Sequence, residues 1–248
     1  MTLRNRLGIF KRNLFASSDF DAPRRELHRL LSAAPEGPER WIDITEQYRG
    51  KGWFANMAAW QVRQEFEAMV TLVQQAAPAR IMEIGTAKGA TLLCWCRIAS
   101  TQVISVDLEG GIHGGGYPTI KQLLYREFTC GRPGVRLDLF QDNSQVKATR
   151  QKVESVLGGE KLDVLFIDGD HSYTGVKTDF DLWSPLVRAG GLILFHDILP
   201  HTNVAHCEVD RLWNELRQHH RHTEFIHDSM QGWAGIGALY LDQATGDS

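Results

Sequence analysis

The chain has 248 residues, room for one large domain or two small ones. Hydrophobic residues make up 43% and charged residues 23%, ordinary globular proportions, and a formal net charge of −3 argues against a generally basic, nucleic-acid-binding surface. No uncharged apolar run approaches the ~18 residues of a membrane span, which excludes an integral membrane protein of the helical kind.

Residues 1–15 carry Arg4, Arg6, Lys11 and Arg12 and no acid, with Leu3, Leu7, Phe10 and Leu14 on one helical face. This segment reads as a lid or an arm for homo-oligomerisation. A frayed terminus and a membrane-surface or targeting helix compete with that reading. Residues 16–40 include Ser17, Ser18, Pro23, Pro35, Gly37 and Pro38, which predict linker mixed with short helix. Over 53–76 the pattern turns helical, with Met57, Trp60, Phe66, Met69 and Val73 directed inward.

From Pro78 the texture changes. Strand patterns at 80–84, 102–107, 135–140, 162–167 and 192–195 alternate with helical patterns at 89–99, 119–129, 144–157 and 173–187. A further helix is marked by Val209, Leu212, Trp213 and Leu216, and two late strands fall near 224–226 and 235–241. Near-continuous apolar strands linked by helices predict an α/β fold with a doubly wound, mostly parallel sheet covered on both faces. The expected organisation is an N-terminal helical arm or cap over 1–76, a catalytic domain over 77–242 and a flexible tail over 243–248.

Four cysteines, Cys94, Cys96, Cys130 and Cys207, are too few and too scattered for a disulfide scaffold. Cys94 and Cys96 are one residue apart, against two in a zinc or redox motif, and read as buried thiols in a reducing compartment. No apolar stretch before a small-residue cleavage site marks a signal peptide, so a cytoplasmic protein is expected.

In such a sheet the ligand sits at the carboxyl ends of the strands, at the switch point. The first strand runs out through Glu83, Gly85, Thr86, Ala87 and Gly89, where the two glycines permit a sharp turn and a close backbone approach. The turn lacks the G-x-G-x-x-G spacing of a dinucleotide site. The second strand ends at Asp107 and Leu108; an acid there accepts the hydroxyls of a ribose, or simply faces solvent or caps a helix. After the third come Asp142, Asn143 and Ser144. Asp142 is placed to accept an adenine amino group, and Ser144 serves either there or as a helix N-cap.

The fourth strand exits through Asp168, Asp170 and His171, and the fifth through His196 and Asp197. Clustered carboxylates suit a hard divalent cation, and a histidine has the pKa of a general base. Asp170 reads as a helix N-cap. Strand alternation leaves open that His196 packs away from Asp197.

These motifs, the stretch 83–89, the segment 104–111 with the glycine-rich loop 114–118, and above all 166–173 with 190–197, resemble class I S-adenosylmethionine-dependent methyltransferases. The resemblance is to the subgroup of cephalosporin-hydroxylase-like and macrolide or sugar O-methyltransferases, and it covers roughly two thirds of the chain. It implies a seven-stranded sheet with the last strand antiparallel. It implies S-adenosyl-L-methionine held by Glu83, Gly85, Thr86, Ala87, Gly89, Asp107, Leu108, Asp142, Asn143, Ser144 and Asp168. It implies catalysis by His171 and Asp168 on a small-molecule hydroxyl acceptor, with Mg2+ or Mn2+ on Asp168, His196 and Asp197 in the metal-dependent members. His196 stands where those members carry an acid, which shifts the metal toward ions that accept imidazole. An NAD-linked oxidoreductase on the same sheet type and a non-catalytic cofactor-binding protein are the competing readings.

Overall fold

The apolar runs read as strands pair edge to edge in one sheet. The computed structural model describes residues 20–33, 35–108, 118–202, 204 and 206–242. The basic segment 1–15, most of the glycine-rich loop and the tail 243–248 lie outside the described residues. The strands are β1 (Arg80–Ile84), β2 (Gln102–Asp107), β3 (Arg136–Gln141), β4 (Leu162–Ile167), β5 (Val187–His196), β6 (Arg221–Phe225) and β7 (Ile236–Tyr240). Their order is β3-β2-β1-β4-β5-β7-β6. β1 to β5 are mutually parallel, and β7 runs antiparallel to both of its neighbours. The order reverses between β1 and β4, so the exits of those two strands open the crevice in which such sheets bind ligands.

Alternate residues of each strand enter two separate cores. Ile81, Val103, Val164, Phe166, Leu192, Leu194, Ile236 and Ala238 face one side. Met82, Ile84, Ile104, Val106, Leu165, Ile167, Ile193, Phe195 and Leu239 face the other. The first side is covered by α1 (Asp21–Ser32), α2 (Pro38–Gln47), α3 (Arg63–Gln75), α4 (Ala90–Ile98) and α5 (Gln122–Arg126), the second by α6 (Lys147–Leu157), α7 (Tyr173–Trp183) and α8 (Val209–Leu216). The N-terminal helices therefore supply part of a layer of the domain's own core. Phe166, fully buried with Trp95 edge-on at 5.9 Å, ties α4 to the sheet centre.

Several expected boundaries move, each for a local reason. The segment 16–40 contains a full helix, α1, and the first turn of α2, begun by Pro38 at a position where its missing N–H costs nothing. The helix expected over 53–76 starts only at Arg63, and Gly52–Phe54 is a separate 3-10 turn. Trp60, expected inward, is 67% exposed. The helix expected over 173–187 ends at Trp183, passes through a 3-10 turn with Pro185 near its start, and gives way to β5 at Val187. Ser144 does not cap a helix, because α6 begins at Lys147 after Val146. Nor is Asp170 the cap of α7. Ser172 takes that place, its hydroxyl accepting the Gly175 N–H at 3.1 Å, while Asp170 accepts the Ser172 N–H at 3.0 Å.

Candidate active site

The site begins at the turn after β1. Gly85 has φ +89, and a Cβ there would lie 1.9 Å from the Asp168 carbonyl oxygen. Glycine thus lets the exits of β1 and β4 touch. Gly89, at φ +93, opens α4, and the Tyr125 hydroxyl closes over the turn by donating to the Ala87 carbonyl at 2.9 Å. Glu83 has no exposed surface. Its carboxylate accepts from Thr91 Oγ1 at 2.8 Å and Ser105 Oγ at 3.1 Å, and the Thr86 hydroxyl pairs with Ser105. Burial pushes the Glu83 carboxyl up to about 8. Glu83 and Thr86 therefore brace the turn from behind.

Asp107 ends β2 half-buried, with Oδ1 accepting the Leu108 N–H at 3.0 Å, and Leu108 is 51% exposed. Lys121, fully buried, donates from Nζ to the Asn56 carbonyl at 3.3 Å. Burial, and then the charge of Lys88, push its pKa down to about 7. Beyond β3, Asp142 pairs with Lys152 Nζ at 2.8 Å and Asn143 Oδ1 accepts the Gln145 N–H at 2.8 Å. The Ser144 carbonyl accepts from Trp183 Nε1 at 3.0 Å.

The exits of β4 and β5 bring the acids and imidazoles together. His171 lies between two carboxylates, with Nε2 3.3 Å from Asp168 Oδ1 and Nδ1 2.9 Å from Asp197 Oδ2. His196 Nδ1 is 3.3 Å from Asp168 Oδ1 and 3.4 Å from Asp197 Oδ1. His196 does not pack away. Asp197 has φ +63, which breaks the strand alternation just past β5 and returns its carboxylate to the side of His196. Burial opposes every charge here, yet the opposite charges prevail. His171 is pushed up to about 12 and His196 to about 10, while Asp168 and Asp197 are held below the usual carboxylate range.

The donor set fits a divalent cation. Ligands bonded at about 2.1 Å stand about 3.0 Å apart around an octahedral ion and about 3.4 Å apart around a tetrahedral one. The 3.3 and 3.4 Å separations among Asp168, His196 and Asp197 match that spacing, and their ligand atoms form one compact group. Asp197 Oδ1 is buried and receives no aligned hydrogen bond, although His201 Nε2 approaches it to 3.0 Å.

Residues outside the motifs complete the site. Gln61, just before α3, donates from Nε2 to Asp168 Oδ2 at 3.3 Å, and its Oε1 is buried without a partner. Glu65, in the first turn of α3 and 1% exposed, accepts from the His227 N–H at 2.9 Å, Gln231 Nε2 at 2.8 Å and the Gly235 N–H at 3.0 Å. That carboxylate fixes the loop between β6 and β7. The loop pairs in turn with the segment after β5 through Ile198, Leu199 and Thr202, and the Ala234 N–H donates to His201 Nε2 at 3.3 Å.

Residues 82–198 match the family model described as a methyltransferase domain. Over that stretch the chain is similar to methyltransferase domains. A Sinorhizobium fredii protein, the uncharacterized protein y4gI, is 30% identical over 132 residues, 51% of this chain and 14% of that protein. The chain spans only 14–16% of the length of the curated relatives it matches. Among solved structures, a putative O-methyltransferase from Klebsiella pneumoniae superposes with a TM-score of 0.53 at 17% identity, over 88% of this chain and 96% of that one. An O-methyltransferase from Bacillus cereus in complex with SAH gives 0.53 at 18% identity, over 87% and 96%. At these identities the two structures bear on the fold.

The methyltransferase domain holds every site residue that the motifs pointed to, from Glu83 to Asp197. Gln61, Glu65, His201 and Cys207 lie outside the matched stretch. Gln61 and His201 touch the cluster and Glu65 holds the loop beside it, each from a loop or helix end with no motif of its own, so spacing alone gives no signal for them. Among the described residues, no helix is long and apolar enough to cross a membrane.

Proposed function

We propose that the chain is an S-adenosylmethionine-dependent O-methyltransferase acting on a hydroxyl of a small molecule, of the sugar, polyketide or phenol class. The convergence of Asp168, His171, His196 and Asp197 beside the glycine turn at the switch point carries this reading. The turn from Gly85 through Ala87 to Gly89 holds the methionine end of the cofactor, with Glu83 and Thr86 behind it. Asp107 and Leu108 take the ribose, and Asp142, Asn143 and Ser144 flank the adenine.

Asp168 and Asp197 orient the His171 ring and stabilise it once it has taken the acceptor proton, as the acid of a catalytic triad does. The acceptor oxygen then attacks the sulfonium methyl in line, the carbon–sulfur bond breaks, and S-adenosylhomocysteine leaves. The domain's main contribution is to hold oxygen and methyl carbon together, about 3–3.5 Å apart in a reactive pose. Mg2+ or Mn2+ held by Asp168, His196 and Asp197 would lower the pKa of the acceptor hydroxyl and offset the carboxylate charge that keeps His171 protonated. Free cysteines and the lack of a spanning helix among the described residues support a cytoplasmic site of action.

The test is transfer of labelled methyl from S-adenosylmethionine to a panel of sugar, phenol and polyketide hydroxyls. His171→Ala is expected to lower turnover about 10²–10⁴-fold while leaving S-adenosylhomocysteine affinity nearly unchanged. Unaltered turnover would remove His171 from the mechanism.

A further inference from the structure

We propose that His171, Asp197 and Cys207 form a second cation site, softer than the first, that takes zinc or another thiophilic divalent ion. One ligand atom from each of the three lies within 4.8 Å of the other two. The Cys207 thiol is in hydrogen-bonding reach of the His171 ring, and Asp197 Oδ2 is 2.9 Å from His171 Nδ1. The two oxygens of Asp197 thus serve different sets. Oδ2 turns to His171, and Oδ1 to His196.

The placement of Cys207 is fixed by backbone. Its own N–H donates to the Val204 carbonyl at 3.2 Å, and the next residue, Glu208, donates its N–H to the His171 carbonyl at 2.8 Å. The residue that precedes α8 is therefore fastened to His171 itself, and the thiol is held within 4.8 Å of a His171 ring nitrogen. Cys94 and Cys96 have no such neighbours; they are fully buried within α4.

Thiolate, imidazole and carboxylate together suit zinc, cobalt or iron, whereas magnesium prefers oxygen ligands alone. Three protein ligands leave a fourth position for water. Binding releases the thiol proton and any imidazolium proton to solvent. An ion there takes the His171 lone pair, so zinc inhibits methyl transfer. That last clause rests on the reading of His171 as the proton acceptor, and the site itself does not.

The experiment uses the full chain carrying Cys130→Ser, because Cys130 is exposed, with Co2+ added over excess Mg2+. The expected result is a near-ultraviolet sulfur-to-cobalt charge-transfer band that saturates at one ion per chain and is displaced by Zn2+. Cys207→Ser removes the band. His171→Gln weakens cobalt binding by at least about tenfold. S-adenosylhomocysteine titration of each variant reports that the fold and cofactor site persist. If Cys207→Ser fails that control, the His171→Gln affinity decides. No band in the Cys130→Ser protein, a band surviving Cys207→Ser, or unchanged cobalt affinity in His171→Gln overturns the site. A band without zinc inhibition of methyl transfer upholds the site and overturns the role given to His171.

Discussion

Gly85 shows how a single residue sets the chemistry of the crevice. Its φ of +89 and the 1.9 Å approach of a hypothetical Cβ to the Asp168 carbonyl leave no room for a side chain. Gly85→Ala is expected to destabilise the fold by about 1–3 kcal/mol in urea denaturation through backbone strain. It should also weaken S-adenosylhomocysteine binding at least tenfold by calorimetry; wild-type affinity would show that the turn does not hold the cofactor. The glycines and acids of these exits were legible because each occupies a fixed place next to a clear apolar strand. What the sequence hides is direction. The left-handed backbone of Asp197 decides that His196 and Asp197 share a side, and alternation alone suggests the opposite. Glu83 is a similar case, since an acid before a glycine turn does not reveal that Thr91 and Ser105 claim both its oxygens.

At the scale of elements, α3 is the N-terminal helix that most directly builds the site. Glu65 receives two backbone N–H groups and one amide from the loop between β6 and β7, and that loop holds the segment bearing His201. Removing the carboxylate strands buried donors, each costing about 1–3 kcal/mol. Glu65→Ala is expected to lower stability by about 3 kcal/mol in denaturant unfolding and to speed amide exchange at Ala234 and Gly235 while leaving β1 protected. Unchanged exchange at those two amides would show that the loop stands without α3. The strands were legible because most of the parallel ones carry apolar runs, and β1, β2 and β4 fall where periodicity puts them. The N-terminal helices were less so. Their faces are completed by the sheet, and the stretch from 55 to 62 owes its course to contacts such as Gln61 with Asp168 rather than to local propensity.

For the whole molecule, net charge conceals an internal cluster whose ionisation is coupled to folding. His171 and His196 have pKa values raised from 6.5 to about 12 and about 10, so their stabilisation is complete below pH 6.5 and is lost as pH rises toward those values. Asp168 and Asp197 are lowered from 3.8, so theirs is present above that pH and is lost on acidification below it. Glu83, raised from 4.5 to about 8, costs stability as pH climbs from 4.5 to about 8, where the unfolded carboxyl ionises and the buried one does not. Metal-free protein is therefore expected to melt at its highest temperature near pH 4.5, with a melting temperature that continues to fall from pH 7 to 9. A rise over that range would contradict the ion-pair cluster. The central claim is that the crevice at the switch point binds S-adenosylmethionine through the Gly85 turn and Asp107. Calorimetric titration of the wild type and Asp107→Ala with S-adenosylhomocysteine and with NAD tests it most directly. The expected result is S-adenosylhomocysteine binding that weakens at least about tenfold in Asp107→Ala, with no binding of NAD. Binding of NAD alone, or S-adenosylhomocysteine binding indifferent to Asp107, would contradict it.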